Sequence, residues 1–276
     1  MTRRDMKKQS IAHYLCIGMV AFLFMACSQE EEAEKVNVSV PLRVMINNGQ
    51  SSLTRATLSG LSTEFEADDT IGIYIANEDR TQYDNVPYVF DGTDWYLASG
   101  EYVPKRVSFL AGYEYYAYYP YKESPGGWPY YYDRDDDGDC TADEFFYSII
   151  NYWNPLEDQS TKAKFNASDL MAGKGTIVDA QNGIVSFNLD HKMGLIKIEL
   201  LNGNGGHITN ISASSAEIFS ADSHIPYKIG DEFYQIAKPN QLFSLYFKPP
   251  VDYIDAKIDT VTPRPGRLSR LEFVFN

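Results

Sequence analysis

Apolar and polar residues alternate along several short stretches of this chain, and this pattern predicts strands rather than helices. From residue 36 to residue 46 every second residue is aliphatic, and the same period of two returns from residue 195 to residue 201. A period of two indicates a strand with one face buried and the other in water. The pair Asp91-Gly92 separates two aromatic runs, so it predicts a hairpin turn. Further strands are predicted at residues 71–76, 88–90, 94–97, 107–110, 113–119, 184–189, 208–213, 217–220, 233–236, 242–247 and 271–275.

Short strands at this spacing, without long amphipathic helices, predict an all-β fold built from β-sandwiches. We expect an N-terminal sandwich at residues 36–180 and a C-terminal sandwich at residues 181–276. Residues 122–166 break the strand pattern, and we interpret them as a long irregular insertion in the first sandwich. A single helical turn is expected after this insertion, with Ser168 as its cap.

The first 27 residues have the pattern of an export signal. Basic side chains precede an apolar run from Leu15 to Ala26, which has the length of a signal-peptide core and is too short to span a membrane as a helix. The small residue before Cys27 resembles a bacterial lipobox, in which the cysteine receives lipid. We therefore expect a signal peptide at residues 1–26 and a lipidated acidic tether at residues 27–35. The alternative is an ordinary secretory signal followed by a chance cysteine.

Composition limits the classes of function that this chain can have. It has 276 residues, of which 44% are hydrophobic and 14% aromatic, and a formal net charge of −14 at pH 7. We expect no nucleic-acid partner, because phosphate contacts need a basic surface and no lysine or arginine cluster follows the first eight residues. Cys140 is the one cysteine that remains after the signal and Cys27 are set aside. The fold must therefore be stabilised by its apolar core and not by an internal disulfide.

A set of short motifs occurs in a characteristic order along the chain. The motifs are Thr54-Arg55-Ala56, Phe65 with Asp68-Asp69-Thr70-Ile71-Gly72-Ile73-Tyr74, Tyr83-Asp84-Asn85-Val86-Pro87-Tyr88, Trp95, Ala117-Tyr118-Tyr119-Pro120-Tyr121, Asp158-Gln159-Ser160, Ser168-Asp169-Leu170-Met171 and Val185-Ser186-Phe187 followed by His191. Together they resemble the fimbrillin (Mfa-like) family of Bacteroidales surface lipoproteins. The resemblance implies two tandem transthyretin-like β-sandwiches and a non-enzymatic pilus or adhesin subunit at the outer membrane, cell surface or fimbrium. Its partners would be other pilus subunits or copies of itself.

The resemblance also implies assembly by strand exchange. In related pilins a protease cuts after an arginine and frees the first strand, and a strand of the next subunit fills the groove by pairing with a sheet edge. We expect the N-terminal strand to lie at such an edge. Arg55 is the candidate cleavage site, and the alternative is an ordinary exposed loop arginine. The candidate donor is the C-terminal strand with alternating Leu271, Phe273 and Phe275, and the alternative is a strand that pairs within its own domain.

The segment 133–144 fits the template D-x-D-x-D-G-x5-E of a calcium-binding loop throughout. A chain that curls around a large hard cation presents oxygen ligands at fixed spacing, and Gly138 permits the sharp turn. The predicted ligands are the carboxylates of Asp133, Asp135, Asp137 and Glu144 and the backbone carbonyl of Asp139. Neither flank is expected to be helical, so we predict a single structural Ca²⁺ loop that orders the insertion. The alternative is a solvated acidic loop.

The rival hypothesis is a calcium-stabilised carbohydrate-binding surface lipoprotein. Its platform for host or dietary glycans would be the aromatic stretch at residues 113–132. The alternative for these aromatic residues is packing within a sheet, with the tyrosine hydroxyls at its rim. An enzyme ranks third, because the sequence has no G-x-S-x-G motif and no close histidine pair at metal-ligand spacing.

Overall fold

Fourteen strands and three short helices are described in full by the computed structural model, which covers residues 40–47, 65–209, 219, 224–247 and 257–275. The strands are β1 (Arg43–Ile46), β2 (Thr70–Asn77), β3 (Arg80–Phe90), β4 (Trp95–Leu97), β5 (Glu114–Tyr119), β6 (Met171–Asp179), β7 (Ile184–Phe187), β8 (Asp190–His191), β9 (Gly194–Asn202), β10 (Tyr227–Ile229), β11 (Glu232–Ala237), β12 (Phe243–Phe247), β13 (Lys257–Val261) and β14 (Leu268–Phe275). The helices are α1 (Ala142–Phe145), α2 (Tyr147–Tyr152) and α3 (Lys162–Ser168). The described residues are thus mainly β, as expected.

Seven of the strands close into a barrel-like sheet. Their order is β5-β2-β3-β4-β1-β7-β6, and β5 pairs with β6 to close the ring, while β8 extends β6 on its other side. All neighbours in the ring are antiparallel except β1 and β7, which are parallel. One apolar cluster is shared by these strands and the segments beside them. Its buried members are Leu42, Val44, Ile71, Ile73, Ile75, Val86, Tyr88, Trp95, Val107, Tyr115, Ala117, Tyr119, Met171, Val185, Phe187 and Leu189.

A second sheet follows the barrel along the chain. Its order is β10-β11-β9-β14, with β14 parallel to β9, and β12 and β13 form a separate two-stranded ribbon. One face of this sheet packs with the ribbon into an apolar cluster that includes Phe233, Leu245 and Phe273. The predicted strand at residues 107–110 is wrong, because the described pairing there is an isolated bridge between Pro41 and Ser108.

A shared core connects the barrel with the second sheet. Tyr74 and Tyr118 contribute to it from the barrel, and Leu195 and Ile236 contribute from the second sheet. The two tandem transthyretin-like sandwiches are therefore not confirmed, because one apolar cluster spans both sheets. The change of sheet falls after β8, at residues 192–193, and not at residue 180, since β7 and β8 still pair within the barrel-like sheet.

The segment 122–166 is not an irregular excursion, because much of it is packed into the shared core. The side chains of Phe145, Phe146, Ile149 and Trp153 on or beside α1 and α2 are almost fully buried there. The expectation for Ser168 is also wrong: this residue ends α3 instead of beginning a helix. After Ser168 the chain enters strand β6. This strand pairs with β5, which lies 50 or more residues earlier, and with β7, which follows it. The sequence near β6 therefore does not reveal that it is a strand.

Gln159 connects the helical segment to the second sheet. Its amide nitrogen donates to the carbonyl oxygens of Leu156 and Ile236 at 2.8 Å each, and its amide oxygen accepts from the backbone nitrogen of Ile236 at 2.8 Å. The Gln159 side chain thus pairs with the edge of β11 at Ile236, beyond the last position at which β10 pairs with this strand. Because the side chain is fully buried, no water can replace these partners.

Replacing Gln159 by leucine should lower the free energy of unfolding by roughly 2–4 kcal/mol, because it leaves buried backbone groups of Leu156 and Ile236 without partners. Urea titration of the native chain and of Q159L measures this difference. Gln181 is exposed on a turn, so Q181L is the matched control and should change stability little. Equal stabilities for Q159L and Q181L would contradict the role assigned to this amide.

Asp158 should contribute a pH-dependent part of the stability. Its hydrogen bond from the Lys164 side chain, together with bonds from Ser160, lowers the pKa of the Asp158 carboxyl to about 2. A lowered pKa in the folded state stabilises the protein above the unfolded value of 3.8, and this gain is lost as the pH falls towards 2. For this half-exposed pair, D158N should lower the melting temperature at pH 7 by about 1–3 °C.

Melting curves between pH 7 and pH 2 test the expectation for Asp158. The difference between D158N and the native chain should shrink below pH 4 and disappear near pH 2. Asp231 is an exposed turn residue, so D231N changes the net charge equally and serves as the control. A difference that stays constant over the whole pH range would contradict the linkage.

Candidate assembly and cation-binding sites

Strand β1 occupies a narrow slot in the barrel-like sheet. It is four residues long, is in register with β4 only at Val44 and Trp95, and pairs with β7 at four positions. Leu42 and Val44 are buried in the barrel cluster, whereas Met45 on the opposite face is 48% exposed. Removal of β1 would leave unpaired backbone groups on β4 and β7 and cavities at the positions of Leu42 and Val44.

A groove of about 610 Å³ lies against β1 and β4. It is lined by aromatic and aliphatic side chains such as Tyr88, Trp95 and Val107 and by the basic residues Lys105 and Arg106. This opening exists because β1 and β4 are paired only at Val44 and Trp95 and form no further pairs on either side. The slot of β1 is therefore accessible from the surface along one flank.

The N-terminal strand does not lie at a sheet edge, so the expectation of an edge is wrong for β1. Its two flanks are occupied by β4 and β7, because the ring of seven strands is closed. A strand from another chain could enter here only after β1 had left. Cys27 and Arg55 lie outside the described residues, as do the expected signal peptide at residues 1–26 and the tether at residues 27–35.

The candidate donor residues Leu271, Phe273 and Phe275 lie on β14, at one edge of the second sheet. Their side chains are buried in the apolar cluster of that sheet, and the strand pairs with β9 along all eight residues. In this structure β14 therefore pairs within its own chain, which is the alternative left open by the sequence. Donation of β14 to another chain would require its release from β9.

The acidic loop brings three of its five predicted ligands together. One carboxylate oxygen from each of Asp133, Asp135 and Asp137 lies within 4.8 Å of the other two. Gly138 has φ of 89° and Asp136 has φ of 59°, so the loop turns through two left-handed residues. Three converging carboxylates form an all-oxygen donor set, which suits a hard cation such as Ca²⁺.

The other two predicted ligands have different partners in this structure. The Asp139 carboxylate forms an ion pair with Lys174, which leaves the predicted role of its carbonyl oxygen unaffected. The Glu144 carboxylate accepts from the backbone nitrogens of Thr141 and Arg134 at 2.9 and 2.7 Å. Glu144 thus caps α1 in a capping box with Thr141 and does not join the three aspartates.

The charges of the loop act on one another. The neighbouring carboxylate of Asp137 is the main reason why the pKa of Asp135 is raised, and Glu144 and Asp133 add to this effect. The backbone amides of Thr141 and Arg134 lower the pKa of Glu144. The neighbouring carboxylates therefore disfavour the negative charge of Asp135, and a bound cation would relieve this repulsion.

Contacts at Cys140 and on either side of it attach the loop to the barrel. The hydroxyl of Tyr116 on β5 donates to the Cys140 carbonyl oxygen at 2.9 Å, and its ring stacks on Phe145 at a centroid distance of 3.9 Å. Lys174 on β6 bridges Asp139 and Glu114. Cys140 itself is fully buried in the shared core. The loop is thus fastened at its C-terminal half, while its carboxylates remain at the surface.

The expectation that neither flank of the loop is helical is wrong for the C-terminal flank, where α1 and α2 follow. The signal that identifies this helix start is the sequence Thr141-Ala142-Asp143-Glu144 before an apolar run, which is the pattern of a capping box. The aromatic residues after Glu144 favour strand by propensity, but packing against the barrel overrides this preference.

Comparison with known proteins agrees with the resemblance seen in the sequence. The model of the family described as fimbrillin-like matches residues 54–227, which is more than half of the chain. A protein of Bacteroides ovatus named as fimbrium tip subunit Fim1C is 29% identical over 208 residues, which cover 71% of this chain and 36% of that protein. The chain therefore spans about a third of the length of this curated relative.

Two solved structures from Bacteroides ovatus share the fold. A fimbrial protein superposes with a TM-score of 0.57 at 20% identity, over 87% of this chain and 49% of the other. A protein described as a cell adhesion protein superposes with a TM-score of 0.51 at 15% identity, over 86% of this chain and 92% of the other. At these identities the likeness concerns the arrangement of the strands.

Among the described residues, no helix has the length and hydropathy needed to cross a bilayer. The motifs that carry the resemblance have clear structural places: Gln159 links the helical segment to the second sheet, and Ser168 to Met171 lead from α3 into the barrel. Together with the match over residues 54–227, these observations identify the chain as a member of the fimbrillin-like family.

Proposed function

We propose that this protein is a non-enzymatic, lipid-anchored subunit of a cell-surface fimbrium or adhesin that assembles with other subunits by strand exchange. Membership of the fimbrillin-like family supports a location in a cell-surface fimbrium and assembly with other fimbrial subunits. Cys27 would carry the lipid and hold the newly exported chain at the outer membrane. The partners would be other pilus subunits or copies of this chain.

The construction of the β1 slot is the observation that carries this proposal. β1 is short and is in register with β4 at one position. It and the residue before it contribute the buried side chains of Leu42 and Val44 to the barrel cluster, with Ile46 partly buried against it. Release of β1 would expose two unpaired strand edges and two pockets, and an incoming strand with alternating apolar side chains would satisfy both. Arg55 lies between β1 and β2 in the sequence, so cleavage there would separate β1 from the rest of the barrel.

The incoming strand has a candidate in β14. Its alternating Leu271, Phe273 and Phe275 match the requirement for side chains directed to one face, and it lies at a sheet edge with β9 as its neighbour in the described sheet. Its burial means that release of β14 costs apolar contacts, which the barrel of the next subunit would restore. We therefore propose that β14 leaves the apolar core of its own second sheet and enters the apolar core of the next subunit's barrel, so that its buried surface is preserved.

A disulfide between β1 and β7 should block assembly. Met45 and Ser186 are in register on these strands and side by side, and the strand spacing of about 4.8 Å is compatible with a disulfide. We expect M45C/S186C, purified from residue 28 onwards and treated with an arginine-specific protease, to remain monomeric when oxidised and to form oligomers when reduced. Size-exclusion chromatography and negative-stain microscopy measure this. Equal assembly of the oxidised and reduced forms would contradict release of β1.

Two arginine variants serve as controls for the cleavage site. R55A should prevent both the cut and the oligomers, whereas R264A, at an exposed position near the second sheet, should behave like the native chain. Oligomers of R55A at the native level would exclude Arg55 as the processing site without affecting the test of β1.

We further propose that the acidic loop holds a structural Ca²⁺ ion. The carboxylates of Asp133, Asp135 and Asp137 would be its ligands in the arrangement described, and the Asp139 carbonyl oxygen would add a fourth. Glu144, the last ligand of the template, would have to leave its cap on α1 to reach the ion. The raised pKa of Asp135 supports this proposal, because it reflects negative charge that no described lysine or arginine neutralises directly. The ion would supply positive charge and hold the loop against the barrel.

Calcium should raise the melting temperature of the native chain by roughly 5–10 °C at about one hundred times its dissociation constant. In D135N this rise should be lost, while the metal-free protein should be at least as stable as the native chain, because the substitution removes a repelled charge. D136N is the matched control, since it removes an equal charge from the same loop at a residue outside the three-carboxylate cluster.

Calorimetric titration of the chelator-treated proteins with calcium completes this test. The native chain and D136N should release or take up heat, and D135N should not. A native chain without binding heat and without a rise in melting temperature at millimolar calcium would contradict the calcium site.

A further inference from the structure

A cleft of about 690 Å³ opens between residues 84–87 of β3, the segment 100–104 and the loop 121–129. This volume lies within the range of small-molecule binding sites. Two large aromatic side chains line the cleft and are nevertheless strongly exposed: Tyr102 is 89% exposed and Trp128 is 74% exposed. The cleft shares no lining residue with the acidic loop or with the groove beside β1, so neither of those sites accounts for it.

The backbone that carries Trp128 is held tightly. A Cβ atom on Gly127 would lie 2.7 Å from the carbonyl carbon of Ser148, so the loop backbone packs directly on α2. At the other end of the loop, the side chain of Asn85 donates to the carbonyl oxygens of Lys122 and Glu123 at 2.9 and 3.2 Å. The wall of the cleft is therefore formed before any ligand arrives, which lowers the entropic cost of binding.

The polar groups of the cleft are acidic or neutral. The carboxylates of Asp84, Glu101 and Glu123 line it, and no lysine or arginine belongs to its described lining. Such a lining repels anionic ligands and accepts hydrogen bonds from hydroxyl groups. Partial desolvation raises the pKa of Asp84, which is otherwise an exposed residue.

A peptide strand is a poor occupant of this cleft. Four of its lining residues are prolines, which have no backbone N–H group to donate to an incoming strand; they are Pro87, Pro104, Pro125 and Pro129. The exposed rings instead offer flat apolar faces next to hydrogen-bond acceptors. This combination suits a ligand that has an apolar C–H face and a hydroxyl-bearing edge.

We infer that this cleft binds a neutral oligosaccharide of hexopyranose units, with sugar rings against Trp128 and Tyr102 and hydroxyl groups donating to the carboxylates. The aromatic stretch at residues 113–132 does not form this site as a whole, because Tyr115, Tyr116, Tyr118 and Tyr119 of that stretch are buried. The inference rests on the proposed location at the cell surface. It does not depend on strand exchange, and the uncleaved monomer is sufficient for its test.

The binding test uses maltotriose, cellotriose and mannotriose as neutral probes, with sialyllactose and trilysine as charged controls. Trp95 and Trp153 are buried, so quenching of tryptophan fluorescence by acrylamide reports mainly on Trp128. At least one neutral trisaccharide should protect Trp128 from quenching at millimolar concentrations. Calorimetric titration should give weaker binding by about tenfold or more in Y102A and in W128A, since each substitution removes one of the two aromatic rings from the site.

Tyr96 provides the matched control, because it is an exposed tyrosine outside the cleft, 54% exposed on β4. Y96A should bind like the native chain, and equal melting temperatures of the three variants would show that folding is intact. The inference is overturned if no neutral trisaccharide binds, if trilysine or sialyllactose binds in their place, or if Y102A and W128A bind as Y96A does. None of these outcomes changes the assembly measured after cleavage.

Discussion

The burial of strand β5 on both of its faces is the constraint on which the rest of the structure depends. Tyr115, Ala117 and Tyr119 belong to the barrel cluster, whereas Tyr116 and Tyr118 belong to the shared core on the other side. A barrel that ended at these outer tyrosines would leave a large aromatic surface in water. The helical segment and the second sheet cover this surface, so one apolar core joins the two sheets.

The same covering layer determines how the acidic loop is held. Cys140 takes the position that is usually aliphatic in a calcium loop, and here it is buried against the barrel, whereas paired calcium loops use this position to contact one another. The hydrogen bond from Tyr116 to the Cys140 carbonyl and the ion pairs of Lys174 fix this half of the loop. A single loop can therefore be held without a second one, and order in the loop is coupled to packing in the shared core.

Assembly and ligand binding would use separate parts of this architecture. The β1 slot lies between β4 and β7, and β1 is in register with β4 at a single position, so release of this strand would break few backbone pairs. The cleft with Tyr102 and Trp128 depends on a loop that packs on α2 and accepts hydrogen bonds from Asn85 of β3. A subunit of this kind could exchange a strand and retain its binding surface, because the two regions share no lining residues.

Period-two alternation together with short apolar and aromatic runs predicted most of the strands from the sequence. Local chemistry determined the hairpin, where the Asp91 side chain accepts from backbone amides within the turn. The acidic template likewise predicted that Asp133, Asp135 and Asp137 lie together, because residues of one short loop can converge without a distant partner. Only the tertiary structure decided the closure of the barrel through β6. No strand is predicted from the sequence around Gly173. In the structure the Asn188 carbonyl oxygen lies 2.0 Å from where a Cβ of residue 173 would stand, so a side chain cannot fit there. Gln159 is likewise ordinary in its own segment and becomes decisive through Ile236, 77 residues away, because long-range pairing leaves no local pattern.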